Sequence, residues 1–241
     1  MICIDECDRI FDLLSTCVEI DWEEAGRLYT KDYWAVQYRL DDSLYNSFRI
    51  GASLTEEVVA CLLGGYGMKA EMGLWAFHRL KNKQLINRRT TQETLEEAIA
   101  QPFWVNGREL HYRFPGQKAS YIYDFLQRGD IREMEMLSGS ELRERLLTVR
   151  GVGPKTASWI AGNYSECNDV AIVDIHLYRA GRLAGFISPE WDIRKDYYKI
   201  EESFLSFCES INASPSRMDS IIWSQMKGSG RRALKMLNPQ I

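Results

Sequence analysis

Lys155 stands where a primary amine could do chemistry. It follows Gly151-Val152-Gly153-Pro154. Glycine admits the positive φ that a tight turn needs. Proline suits the first turn of a helix, where its missing N–H costs nothing. The spacing predicts a hairpin that delivers the chain onto a helix N-terminus. Backbone N–H groups there have no intrahelical partner, so they make a ready anion site, and the glycines let a phosphate come close. An amine beside that site has two uses. As a cation it contacts phosphate; as the free base it is a nucleophile.

The elements that hold this turn can be read on either side of it. Ser138 and Glu141 stand in capping-box spacing, which predicts a helix beginning at Ser138. Leu142, Leu146 and Val149 continue it at helical spacing. Beyond the turn, Gly162-Asn163 is a favourable C-cap pair and predicts the end of the second helix. Residues 170–173 are a short apolar extended run. Asp174 follows, ahead of Leu177, Ala180 and Leu183, where an N-cap belongs.

The stretch Leu146-Leu147-Thr148-Val149-Arg150-Gly151-Val152-Gly153-Pro154-Lys155-Thr156-Ala157 resembles the helix-hairpin-helix of the DNA glycosylase superfamily. The usual form there is Leu-Pro-Gly-Val-Gly-x-Lys-Thr-Ala, and Val149-Arg150 occupies the Leu-Pro positions. Lys155 falls where bifunctional members carry their catalytic lysine. Val173-Asp174-Ile175-His176 is similar to the family's Val-Asp-x-His segment, whose aspartate is catalytic and whose histidine touches DNA phosphate. Arg113-Phe114, Lys118-Ala119 and Tyr121-Ile122 match a further family segment ahead of the hairpin. Asp219-Ser220-Ile221-Ile222-Trp223 is similar to the C-terminal signature of the small prokaryotic 8-oxoguanine glycosylases, where the aromatic lines the base pocket.

The resemblance implies double-stranded DNA containing a damaged base as partner, and a definite chemistry. The C1′ carbon is inaccessible in the duplex, so the nucleotide must be extruded and the strand held by its phosphates. Gly151, Val152, Gly153 and His176 would bind phosphate. Lys155 would attack C1′ as the neutral amine. A free lysine titrates near ~10.4, so helix N-terminus and partial burial must lower it. Asp174 would stabilise positive charge growing on the sugar. Trp223 and Trp159 are base-pocket candidates, with an ordinary core role open for Trp223. Trp159 stands where eukaryotic 8-oxoguanine glycosylases have a cysteine. A monovalent cation at the hairpin carbonyls is also a family feature; no other metal is expected. Only Cys208 lies beyond Cys167, so no local four-cysteine iron–sulfur cluster can form and no cofactor is expected.

The rest of the chain reads as mainly α. A helix is predicted through Ile10, Phe11, Leu13, Leu14 and Cys17. The aromatics Trp22, Tyr29, Tyr33, Trp34 and Tyr38 suit a packed core, with base stacking as the alternative. Ser53 with Glu56 repeats the capping-box spacing before Val58, Val59, Leu62 and Leu63. The break at Gly64-Gly65-Tyr66-Gly67 precedes a helix over 71–80. In the family, a polar wedge filling the hole left by the base sits there; Tyr66, Met68 and Lys69 occupy that neighbourhood. Lys118 reads as a solvated lysine at a helix start, or a phosphate contact. Helices are predicted over 94–100, stopped by Pro102, over 197–208, and over 219–227, halted by Gly228 and Gly230.

Net charge of −4 is unusual for a DNA-binding chain, but charge is polarised: acids crowd the start, and Lys227, Arg231, Arg232 and Lys235 follow the last acid, Asp219. No apolar run reaches membrane-span length, and Met1-Ile2-Cys3-Ile4 does not open a signal peptide. A monomer in the cytoplasm is expected, nucleoid-associated in a prokaryote. The family layout implies two helical lobes with a DNA-binding cleft between them: residues 50–163 carrying the hairpin, and 1–49 plus 164–241 carrying Asp174. A glycosylase for another damaged base and a non-enzymatic helix-hairpin-helix DNA-binding module remain open alternatives.

Overall fold

The computed structural model describes residues 21–41, 48–65, 67–165 and 167–237. The helix predicted through Ile10 and Cys17, the Tyr66 candidate and the Trp22 side chain lie outside them. Among the described residues the chain is mainly α, as its patterning requires. No helix of these residues is long and apolar enough to cross a membrane. The chain divides into two compact units, residues 47–167, and residues 1–46 with 168–241.

In the first unit the central helix is α3 (Leu54–Leu63), numbered after α1 (Trp22–Ala25) and α2 (Lys31–Leu40). Ser53 Oγ accepts the Glu56 N–H at 3.2 Å, so the predicted cap is made. Leu54, Val58, Val59, Leu62 and Leu63 are all buried, and such an all-round apolar helix belongs inside a bundle. It packs on α4 (Ala70–Asn82), α6 (Pro115–Leu126) and α9 (Pro154–Ser165). Between them come α5 (Gln92–Ala100), α7 (Ile131–Met134) and α8 (Gly139–Leu146).

A hairpin of β1 (Phe103–Val105) and β2 (Arg108–Leu110) went unread in the sequence. Its two-residue turn is Asn106-Gly107, with φ of +49° and +73°. Asn-Gly is the preferred pair for a type I′ turn, so the signal was present. The Arg79 guanidinium seals the α5 end, donating to the Ala98, Gln101 and Pro102 carbonyls.

The second unit is built from α2 with α10 (Ile175–Ala184), α11 (Tyr197–Ser210) and α12 (Pro215–Leu237). Tyr29, Trp34, Leu177, Phe204, Met218 and Ile222 are core residues here, so the early aromatics do serve packing. Tyr33 Oη donates to Gln225 and Tyr38 Oη accepts the Ser214 N–H, tying α2 to α12 and its entry.

Four local expectations are corrected. Ser138 precedes α8, but its side chain makes no cap hydrogen bond; Gly139 takes φ +52° and turns its N–H to Ser165 Oγ. Gly162-Asn163 does not end α9: Asn163 is buried, and its side-chain amide donates back to the Trp159 carbonyl within the continuing helix. Gly228 and Gly230 do not halt α12. Glycine costs a helix only ~1 kcal/mol, and burial of Met226 and Ala233 on either side outweighs it. Lys118 is half-buried rather than simply solvated. Its amine donates to the Gly64 carbonyl at 2.8 Å, and burial holds its pKa below the ordinary lysine value.

Candidate active site

The hairpin is a short, heavily anchored turn. The Val152 N–H closes onto the Val149 carbonyl at 3.0 Å, and Gly151 sits at φ +89°, the third position of a type II turn. Gly153 takes no positive φ, contrary to the expectation for both glycines. The two glycines are needed for different reasons. A Cβ on Gly151 would run into the Tyr121 ring, whereas a Cβ on Gly153 would meet nothing within 4 Å. Arg150 holds the turn onto α6: its guanidinium pairs with Asp124 at 2.8 Å, bonds Ser120 Oγ at 3.1 Å and lies over the Tyr121 ring.

The turn decides which backbone donors remain. Val152 was expected to offer its N–H to phosphate, but that N–H is spent inside the turn and its side chain is buried. The N–H groups of Gly151 and Gly153 make no hydrogen bond among the described residues, and both glycines are exposed. Pro154 opens α9 as predicted, and Lys155 follows in its first turn. The Lys155 side chain is exposed rather than partly buried. Trp159, one turn further on, is half-buried with its ring 6.2 Å from Phe48. So this unit gathers two unused backbone N–H groups, an amine and an aromatic pair around one helix start.

The turn beginning at Gly64, where a wedge was expected, is clamped from below. Tyr112 Oη donates to the Leu63 carbonyl and Lys118 Nζ to the Gly64 carbonyl. These are terminal carbonyls of α3 that the helix itself cannot satisfy. Met68 is half-buried, and Lys69 is exposed at the start of α4.

Asp174 belongs to the other unit and caps α10. Its Oδ1 accepts the His176 N–H at 2.7 Å and the Leu177 N–H at 2.9 Å, from an extended backbone. Both bonds use one oxygen, so Oδ2 is left for another partner. The run leading to it belongs to no sheet among the described residues. Glu201 accepts the Ala171 N–H at 2.8 Å, and Tyr197 Oη receives the Val173 N–H at 3.3 Å. These two α11 side chains position Asp174 and were missed in the sequence, where Glu201 reads as one more charge on an amphipathic helix.

His176 and Trp223 come together. Their rings are 6.4 Å apart in a T-shaped arrangement, and Lys227 Nζ lies 4.4 Å from the Trp223 ring centroid. Trp223 is 41% exposed, which settles its core alternative against burial; Ile222 beside it is the buried residue. Arg232 and Lys235 continue exposed along α12. No group of three His, Cys, Asp or Glu side chains among the described residues could hold a metal ion.

Four comparisons with known proteins bear on this arrangement. The chain is 29% identical over 125 residues to the 8-oxoguanine DNA glycosylase/AP lyase of Thermotoga petrophila, a match covering 50% of this chain and 60% of that relative's length. The crystal structure of Methanocaldococcus jannaschii 8-oxoguanine DNA glycosylase superposes with a TM-score of 0.54 at 27% identity, covering 73% of this chain and 78% of that one. The same organism's 8-oxoguanine glycosylase/lyase in complex with a 15mer DNA containing 8-oxoguanine gives 0.57 at 22% identity, over 93% and 98%, which shows a shared fold. The family model Ogg-HhH, 8-oxoguanine DNA glycosylase, matches residues 42–213. With the hairpin, its following lysine and the capping aspartate all inside that span, the chain belongs to the helix-hairpin-helix family of 8-oxoguanine DNA glycosylases.

Proposed function

We propose that this chain is a bifunctional DNA glycosylase and AP lyase that removes 8-oxoguanine from duplex DNA. The observation that carries the reading is Lys155 in the first turn of α9, two residues after the second of two exposed glycines with unused N–H groups. The matched relatives, named for this activity, support it, as does the Methanocaldococcus jannaschii complex with 8-oxoguanine DNA.

The chemistry follows from the residue types. The Gly151 and Gly153 N–H groups hold a phosphate oxygen without reading sequence. The Lys155 free amine forms a bond to C1′ as the C1′–base bond breaks, and the base leaves with the electron pair and takes up a proton. The nitrogen, having lost one proton, then expels O4′ from C1′; O4′ takes up a proton, and the opened sugar is left as a protonated Schiff base. Removal of a C2′ proton then breaks the C3′–O bond and nicks the strand. The Asp174 carboxylate favours the cationic sugar and accepts the amine proton. His176 and Lys227 supply phosphate contacts, and Trp223 and Trp159 offer faces for the base.

A monovalent cation fits the hairpin by the chemistry of its donors. The Val149 and Gly153 carbonyls each accept one internal hydrogen bond and keep a second lone pair. Such an ion would add positive charge beside the phosphate. The reading carries a cytoplasmic location with it, nucleoid-associated in a prokaryote.

The direct test is a panel of duplexes carrying different lesions, incubated with and without borohydride. Nicking and a trapped covalent adduct with the 8-oxoguanine duplex are expected. The same result on another lesion alone would favour a glycosylase of different specificity, for which Trp159 in place of the eukaryotic cysteine is the motivating difference. Binding without nicking on any lesion would leave a DNA-binding module.

The two glycines should also separate. Gly151→Ala should destabilise the fold by about 3 kcal/mol, from positive φ and collision with Tyr121. Gly153→Ala should leave the unfolding midpoint in place and weaken binding to undamaged duplex, because its Cβ would stand where the phosphate comes. Equal DNA affinity for Gly153→Ala and wild type would remove phosphate from this turn.

A further inference from the structure

A buried carboxylate in the unit of residues 47–167 takes no part in the steps above. Glu57 lies on α3 at 0% exposure. A carboxylate is retained in such a place only where hydrogen bonds replace its water. The Ile50 N–H donates to Oε2 at 2.8 Å and the Gly51 N–H at 2.6 Å. The Trp159 side chain faces the same carboxylate and favours its charged form. Gly51 must be glycine, because a Cβ would run into the Glu56 and Glu57 backbone. Arg49 secures the loop from its other side, with Nε to the Gly51 carbonyl at 2.9 Å, Nη2 to the Ala52 carbonyl at 2.8 Å, and its guanidinium over the Tyr164 ring.

This loop presents Phe48, which stays 48% exposed against the Trp159 ring. Trp159 in turn lies one helical turn after Lys155 on α9, so the two side chains share a face. One carboxylate therefore fixes the loop whose Phe48 packs on Trp159, and so supports an aromatic pair on the face of the proposed nucleophile.

We infer that Glu57 is a positioning residue for base excision: it holds Phe48 and Trp159 as an aromatic wall against which the extruded purine stacks beside Lys155. The inference rests on the proposed glycosylase function and assigns the group that orients its base-binding wall. A stacking face is useful only in one orientation, and the Phe48 loop bound to Glu57 packs against the Trp159 ring. An abasic site carries no base, so its cleavage through Lys155 makes no use of this wall.

The test uses the full chain with Glu57→Gln and Trp159→Phe, singly and together. Glutamine keeps the shape but places an NH2 where the carboxylate meets N–H donors; phenylalanine keeps a ring without the N–H. Single-turnover excision from the 8-oxoguanine duplex should fall at least about tenfold in Glu57→Gln, while nicking of a preformed abasic duplex stays within about twofold. Trp159→Phe should lower excision in the same sense, and the double variant should be no worse than the more severe single, since both disturb one aromatic wall. Parallel loss of excision and abasic nicking, unchanged excision in Glu57→Gln, or additive losses would each overturn the assignment. If Glu57→Gln fails to fold, Trp159→Phe alone decides by the same ratio. A wild-type chain inactive on both duplexes would overturn the glycosylase reading itself, and this assignment with it.

Discussion

Lys155→Gln should abolish the borohydride-trapped adduct and lower strand nicking by on the order of 10³-fold or more. Glutamine keeps most of the length and the polarity of lysine but has no amine to form a Schiff base. The change should be silent for folding. Lys155 is exposed, sits in the first turn of α9, and makes no ion pair among the described residues. Unfolding midpoints of variant and wild type should agree, so lost activity would report chemistry and not collapse. Affinity for undamaged duplex should fall only modestly, since the hairpin N–H groups remain. A covalent adduct surviving in this variant would mean that another amine, such as Lys118 or Lys69, is the nucleophile, and the role given to the hairpin would shrink to holding phosphate.

Asp174 has two roles that substitution can pull apart. As an N-cap its Oδ1 accepts two backbone N–H groups, and asparagine caps a helix about as well as aspartate. Asp174→Asn should therefore fold with near wild-type stability while base excision falls by about 10²–10³-fold, the usual loss when a charge-stabilising group is neutralised. Asp174→Ala should lose excision similarly and also ~1 kcal/mol of stability with the cap. Thermal unfolding with single-turnover excision on both variants makes the comparison. Full excision by Asp174→Asn would reduce Asp174 to its cap, and the charge on the sugar would need another partner.

The parts of this site that are legible in the sequence are those set by neighbours in the chain. Ser53 and Asp174 cap helices because a short side chain reaches an N–H two or three residues on. Gly151 turns the chain because a positive φ is costly for other residues, and Pro154 opens a helix because its φ is already set. The same kind of reasoning misplaced the ends of α9 and α12. Asn163, Gly228 and Gly230 are weak stop signals whose cost is small, and burial elsewhere on the helix overrides it.

By itself, then, the sequence determined a helix, a glycine turn, a lysine at the next helix start and a capping aspartate, since all four are settled within a few residues of chain. Tertiary structure alone decided that Trp34 is core while Trp223 is exposed, and that Glu57 and Glu201 are buried anchors. Those outcomes depend on partners far along the chain: Glu201 meets Ala171, and Lys118 meets Gly64. A glutamate or lysine reads as solvated until the fold closes over it. Only the packed structure shows which hydrogen bonds have taken the place of water.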